Sequence, residues 1–375
     1  MKPDAADGDG VLPSAILSAS AAATTETETR TAGPGQSLTN RALWLFQSKH
    51  LVSRNPQYPV AAFTFMRPSA EDSHQRAPRS STASPPGLSP REFLSGDIPK
   101  HLGDFYEISP ASNPALCRSY SITAVDPTIT GELLLRSALS SSSKSVSELR
   151  QRLIDTLSPR SHTKRQYRST HNPEQSRALK LFIKLYPAGS MSPMLHEADL
   201  GAAFAVRGPF PGEIKTESVK GRVLLIVAGT GLIPFLDLID ILTRDPSTPP
   251  ESLNRVSRLT LVCSYDSEDD ILFEPWLRER EARCRRSPTA STAFNFSIAL
   301  QSPRADFEGW KTYFTRNYFR HLLFNSSSTP SNPISSCAFD QIYICGSMAF
   351  KALVQQELHH VGVGSLLVSL NSTFF

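Results

Sequence analysis

The chain has 375 residues, room for two domains at roughly 100–200 residues each. Its 39 basic and 35 acidic side chains nearly cancel to +4, and the basic run near residues 160–168 is of a kind usually solvated, so no nucleic-acid partner is expected. Five scattered cysteines without a CxxC pair exclude a thiolate metal centre and fit a reducing compartment, and no window of about 18 apolar residues marks a transmembrane helix.

Residues 1–40, acidic and rich in Ala, Ser and Thr, read as a disordered tail rather than a signal peptide. From Leu43 the chain becomes foldable. Strands are expected at Ala61–Met66, Phe105–Ile108, Cys117–Ala124, Leu179–Tyr186 and Ala203–Arg207, with a fourth short one starting at Leu133–Leu135. A Ser/Pro/Arg-rich loop covers Pro68–Pro90. Residues 137–176 read as a low-complexity insertion with a short helix at Val146–Leu157. Short strands divided by turns predict an antiparallel barrel over residues 41–218.

From residue 219 the rhythm becomes strand–helix alternation. Strands at Val223–Val227, Leu259–Tyr265, Phe294–Leu300 and Gln341–Cys345 each precede a helix, at Pro234–Arg244, Ile271–Cys284, Trp310–Phe324 and Phe350–His360. The loops Pro246–Asn254 and Asn325–Ser336 are Pro/Ser-rich. This pattern predicts an α/β domain with a doubly wound parallel sheet over 219–375.

Five stretches carry possible chemistry. Val223–Val227 runs into Ala228-Gly229-Thr230-Gly231 and then Pro234, which suits the first turn of a helix. A strand, a turn without side-chain bulk and a helix bring bare N–H groups to a phosphorylated ligand, although the turn could be merely a tight corner. Arg118 and Tyr120 share one face of a strand, with Ser121 beside them. A guanidinium can clamp a diphosphate and a ring can cover a heterocycle, but a surface Arg and a packed Tyr fit equally. In YPAGSMSPML, Ser192 is the expected N-cap of a short helix ending near Asp199; Gly189 supplies the turn, and the helix N-terminus suits an anion unless it is only a well-capped helix. Cys345, at the end of the last strong parallel strand, lies where such sheets bind ligands, or is an ordinary buried thiol. After the second parallel strand, Asp270 could accept from ribose hydroxyls or serve as a helix N-cap.

In order, the motifs Arg118-Ser119-Tyr120-Ser121, LFIKLYPAGSMSPML, Gly208-Pro209-Phe210-Pro211-Gly212, GTGLIP, SEDDIL and CGSMAF resemble the ferredoxin-reductase-like superfamily, and within it the NADH–cytochrome b5 reductases. The resemblance runs from about Leu43 to the C-terminus and is especially similar to the reductase domain of the cytochrome b5/reductase fusion type, without a visible haem-binding b5 domain. It implies a two-domain fold, an antiparallel β-barrel FAD-binding domain followed by the α/β NAD-binding domain.

The resemblance also implies roles. Arg118 would hold the FAD diphosphate, Tyr120 would pack on the isoalloxazine and Ser121 would bond near its N5. Gly189, Ser190, Met191 and Ser192 would shape the flavin-phosphate loop, and Lys184 would assist NADH. Gly229, Thr230, Gly231 and Pro234 would admit the nicotinamide nucleotide, with Cys345 and Gly346 near the hydride path and Asp270 favouring NADH over NADPH. The implied reaction is hydride transfer from NADH to flavin N5, then electron delivery to cytochrome b5 or a b5-like haem protein. A cytoplasmic monomer, peripheral at the endoplasmic reticulum, is the expected setting. Ile233 stands where the family carries threonine, and Ser347 and Met348 where prolines commonly follow Cys-Gly. The alternative is a flavoprotein-like interaction module that has lost turnover.

Overall fold

The computed structural model describes residues 42–68, 101–123, 125, 178–244, 253, 255–287, 292–305, 307, 309–310, 314–324 and 337–369. The tail, the strand expected at Leu133–Leu135, the insertion with its helix at Val146–Leu157, and most of the Ser/Pro-rich loops lie outside these residues.

Strands β1 (Ala42–Leu51), β2 (Val60–Met66), β4 (Phe105–Pro110), β5 (Arg118–Ser121), β6 (Ala178–Lys184) and β7 (Ala203–Phe210) form a six-stranded sheet in the order β5-β4-β7-β1-β2-β6, every pairing antiparallel. Aromatic side chains alternate inward along β1 and β2, and Trp44, Phe46, Phe63 and Phe65 meet Ile108, Leu181 and Phe204 in its core. An antiparallel bridge between Ile122 and Leu181 joins the two edge strands and curls the sheet into a barrel. Two-residue strands β3 (His101–Leu102) and β8 (Ile214–Lys215) pair beside it.

The second sheet is parallel, ordered β11-β10-β9-β12-β13, from β9 (Gly221–Ala228), β10 (Val256–Tyr265), β11 (Ala293–Leu300), β12 (Gln341–Cys345) and β13 (Leu367–Ser369). Central strand β9 divides its side chains between two cores. Val223, Leu225 and Val227 face α2 (Leu236–Arg244) and α3 (Glu274–Arg286), whereas Leu224 and Ile226 face α4 (Arg316–Leu323) and α5 (Met348–His360). A strand buried on both faces has no polar side, which is why Val223–Val227 is a continuous apolar run. The sheet is doubly wound, as the alternation predicts.

The core over α2 and α3 continues into the barrel through Val60, Ala62 and Phe182, whose ring meets Phe273 edge-on at 5.0 Å. Both sheets belong to one compact unit, residues 41–375. Among the described residues, no helix is long and apolar enough to cross a membrane.

Candidate functional site

The chain moves outward from β9 to β10 and β11, then crosses back to β12 on the other side of β9. The carboxyl ends of β9 and β12 therefore flank the point where strand order reverses, the usual ligand crevice of open α/β sheets. There the backbone of Gly231 lies against Cys345 and Gly346. A Cβ added to Gly231 would stand 2.4 Å from the Cys345 carbonyl oxygen, so this turn has no room for any other residue. Gly229 needs glycine for a different reason, its φ of +52°.

Pro234 does not occupy the first turn of the α-helix. Gly229–Phe235 forms 3-10 turns, and α2 begins only at Leu236. The Pro234 ring lacks the N–H that an α-helical bond would need, and the tighter winding seats Thr230, Leu232, Ile233 and Phe235 inside the fold.

Cys345 is buried, and burial pushes its thiol up to about 12, against the opposing pull of Lys351. It is a protonated, apolar group at neutral pH. Lys351, one turn into α5, is itself buried and held below the ordinary lysine range by desolvation, with Cys345 and Glu213 opposing that shift.

On the barrel side, Arg118, Tyr120 and Ser121 lie on edge strand β5, paired with β4 through Ile108–Arg118 and Tyr106–Tyr120. The Arg118 guanidinium donates to the adjoining Cys117 carbonyl at 2.8 Å. Burial raises the Tyr120 hydroxyl far above the usual tyrosine range, with Arg118 opposing and Cys117 and Tyr186 adding to the shift. Lys184 ends β6 between the rings of Tyr58 and Tyr186, 5.5 and 6.0 Å from their centroids. It opposes the burial that raises Asp266, which Asp270 reinforces.

The loop after β6 closes on the backbone of Tyr186. The Gly189 N–H donates to the Tyr186 carbonyl at 2.8 Å, and Ser192 Oγ accepts from the Tyr186 N–H at 2.9 Å. This bond removes Ser192 from the expected capping role: α1 (Met191–Glu197) has Ser190 at its N-cap, and Ser192 sits inside the first turn. Met191, Leu195 and His196 anchor α1 in the barrel, the His196 ring standing edge-on to Phe63 at 5.0 Å. Tyr186 is solvent-exposed, and desolvation of its hydroxyl raises it above the usual tyrosine range, with Thr230 opposing and Asp266 adding to the shift.

Asp270 is not an N-cap. Ser267 caps the turn Glu268–Asp270, and Asp270 closes a reciprocal capping box by accepting from the Ser267 N–H at 3.3 Å, with a further bond from Ser267 Oγ at 2.9 Å. Its other oxygen accepts from Asn55 Nδ2 at 2.7 Å, and the backbone N–H groups of Arg54 and Asn55 donate to the Asp269 carbonyl at 2.9 and 3.0 Å. The β1–β2 loop of the barrel is thereby fastened to the end of β10. Asn55 and a second link, Thr123 to Asp237, were not singled out from sequence, because partners 215 or 114 residues apart leave no local pattern.

A family model described as "Oxidoreductase FAD-binding domain" matches residues 151–215. NADH-cytochrome b5 reductase 2 of Chaetomium globosum is 29% identical over 159 residues, 42% of this chain and 42% of that protein. Its counterpart from Aspergillus oryzae is 26% identical over 182 residues, 48% of this chain and 50% of that one. By sequence, the chain resembles the NADH–cytochrome b5 reductases. It spans about half the length of the curated relatives it matches. In structure it is similar to the CS-b5R domains of human Ncb5or (TM-score 0.52, 16% identity, 88% of this chain and 69% of that one). It is also similar to the cytochrome b5 reductase domain of Ulva prolifera nitrate reductase (TM-score 0.50, 15% identity, 88% and 97%). At these identities the likeness is one of fold, the barrel followed by a doubly wound parallel sheet.

Proposed function

We propose that the chain is an FAD-dependent reductase that takes a hydride from NADH and passes electrons to a one-electron acceptor. The supporting observation is the Thr123–Asp237 hydrogen bond at 2.8 Å, by which the chain just beyond Ser121 of β5 meets the helix that follows the Gly229–Phe235 turn. Residues 41–218 would form the flavin domain, including the 137–176 insertion, and 219–375 the nucleotide domain, working as a monomer. Cytochrome b5 or a b5-like haem protein is the proposed acceptor, on the names of the sequence relatives.

The residues present suit both cofactors. Arg118 offers donors for a diphosphate, Tyr120 a ring for a planar heterocycle, and Gly229 open space, where an added Cβ would meet nothing within 4 Å. Bound FAD would supply the redox chemistry, accepting the hydride and releasing its electrons singly. Arg118 would hold the diphosphate, Ser121 would donate near flavin N5, and Gly189, Ser190, Met191 and Ser192 would shape the phosphate loop. Gly229, Thr230, Gly231 and Pro234 would bound the nicotinamide subsite. The protonated Cys345 thiol and Gly346 would form its apolar floor and exclude water. Lys184 would face the nucleotide. Asp270 would act on nucleotide choice by fixing the turn beside Asp266, since both of its oxygens are already hydrogen-bonded within the protein.

Titration of FAD into the apo chain, read by flavin fluorescence, tests the assignment. Arg118→Ala should weaken binding about 10- to 100-fold, the worth of charge-assisted hydrogen bonds. Equal affinity in the variant would remove Arg118 from the site.

A further inference from the structure

Two residues beyond Ser121, the Thr123 hydroxyl donates to Asp237 Oδ1 at 2.8 Å. The Val125 N–H divides between Thr123 Oγ1 at 3.1 Å and the same Asp237 oxygen at 3.3 Å. Asp237 lies in the first turn of α2, immediately after the Gly229–Phe235 turn. An acidic residue there ordinarily serves the helix dipole. This one reaches out of its helix to the segment that follows β5, and the Val125 side chain packs on the parallel-sheet core beside it. Between Ser121 and this clasp, Ile122 closes the barrel against Leu181. The end of β5 is thus held from both sides at the junction of the two sheets.

We propose that Asp237 is a positioning residue: through Thr123 and Val125 it sets the separation between the β5 strand and the Gly229–Gly231 turn. The assignment rests on the reductase reading, in which β5 carries the flavin contacts and the turn admits the nicotinamide. Hydride donor and acceptor must lie within roughly 3–3.5 Å, and a misplacement of about 1 Å costs on the order of 100-fold in rate. A half-buried carboxylate with two donors from one short segment is a stiffer link than apolar packing, because hydrogen bonds are directional.

The test uses the full chain and the variants Asp237→Ala, Thr123→Val, Thr123→Ser and the Asp237→Ala/Thr123→Val double. Three quantities are read: FAD bound per chain, the limiting rate of flavin reduction by NADH in anaerobic stopped flow, and the long-wavelength charge-transfer absorbance between flavin and NAD+. The apo chain supplies a fourth, hydrogen exchange at the Val125 amide. Asp237→Ala and Thr123→Val should each lower the limiting rate about 10- to 100-fold and diminish the charge-transfer band, at unchanged FAD content. The double variant should be no slower than either single, Thr123→Ser should restore the rate, and Val125 exchange should quicken in Asp237→Ala. A lower melting temperature with an unchanged rate per bound flavin would make the clasp merely structural and overturn the proposal alone. Additive losses in the double variant would overturn it too. A wild-type chain that takes up no FAD would overturn the reductase reading and this assignment with it.

Discussion

Gly231→Ala is the sharpest perturbation of the crevice. The new Cβ would stand 2.4 Å from the Cys345 carbonyl oxygen, 2.7 Å from its carbon and 3.0 Å from the Gly346 nitrogen. All three are backbone atoms of a central strand end, and none can rotate away. The ends of β9 and β12 must then separate by several tenths of an ångström or more, in a core where overpacking costs about 1–3 kcal/mol. At about 2–4 °C per kcal/mol for a domain of this size, the melting temperature should fall by about 2–12 °C. Gly229→Ala is the control, because nothing lies within 4 Å of its added Cβ. Its φ of +52° carries a conformational cost of about 1–2 kcal/mol but no collision. Thermal unfolding followed by circular dichroism, with NAD+ affinity measured on the same samples, separates the two. Gly231→Ala should lose nucleotide affinity through displaced strand ends, and Gly229→Ala should keep Cys345 in place. A Gly231→Ala chain with wild-type melting and wild-type affinity would refute the close approach and the crevice built on it.

Other expectations follow from single side chains. Asp270→Ala should cost about 1.5–3 kcal/mol, since it removes charge-assisted bonds from Asn55 and Ser267, and combining it with Asn55→Ala should be markedly less than additive in denaturant unfolding. Burial, with Lys49 adding to it, holds His196 below the usual histidine range, while its bond to the Ile183 carbonyl opposes the shift. The unfolded chain therefore binds a proton at His196 first as pH falls, so stability is fully present above about pH 6.5 and declines below it. Melting curves from pH 8 to 5 should show this slope, and His196→Gln should flatten it. Brief alkylation of the native chain at pH 7.5, read by mass spectrometry, should label Cys117 and spare Cys263, Cys284, Cys337 and Cys345, which are buried.

Much of the fold is legible locally. Val223–Val227 announces a doubly buried strand because neither face of β9 meets water, Gln341–Cys345 is readable for the same reason, and Phe294–Leu300 by the alternation of buried Phe294, Phe296 and Ile298 with exposed Asn295. Strand β1 is harder: only Trp44 and Phe46 of its ten side chains are buried, so no inward alternation extends through Gln47–Leu51. Strand β13 has only three residues, too few for a period. In the candidate site, the glycine turn and the Arg118–Ser121 strand can be read because each is a local motif. The cap of α1 misleads because Ser190 and Ser192 both suit an N-cap; the choice is made by the Tyr186 backbone, which takes the Ser192 hydroxyl. Asp270 misleads likewise, its carboxylate being claimed by Asn55 from the other sheet. Barrel and parallel sheet are joined by a shared apolar core through Val60, Ala62 and Phe182 and by long-range hydrogen bonds between ordinary polar residues, and no spacing along the chain encodes either.

The proposed function stands or falls with reduction of a bound flavin by NADH. An absorption spectrum of the purified chain reconstituted with FAD, recorded anaerobically before and after NADH, tests it most directly. Oxidised-flavin bands should be present and should bleach on addition of NADH, since the flavin is the group expected to take the electrons. A chain that retains no FAD, or one whose bound flavin stays oxidised with excess NADH, would contradict it.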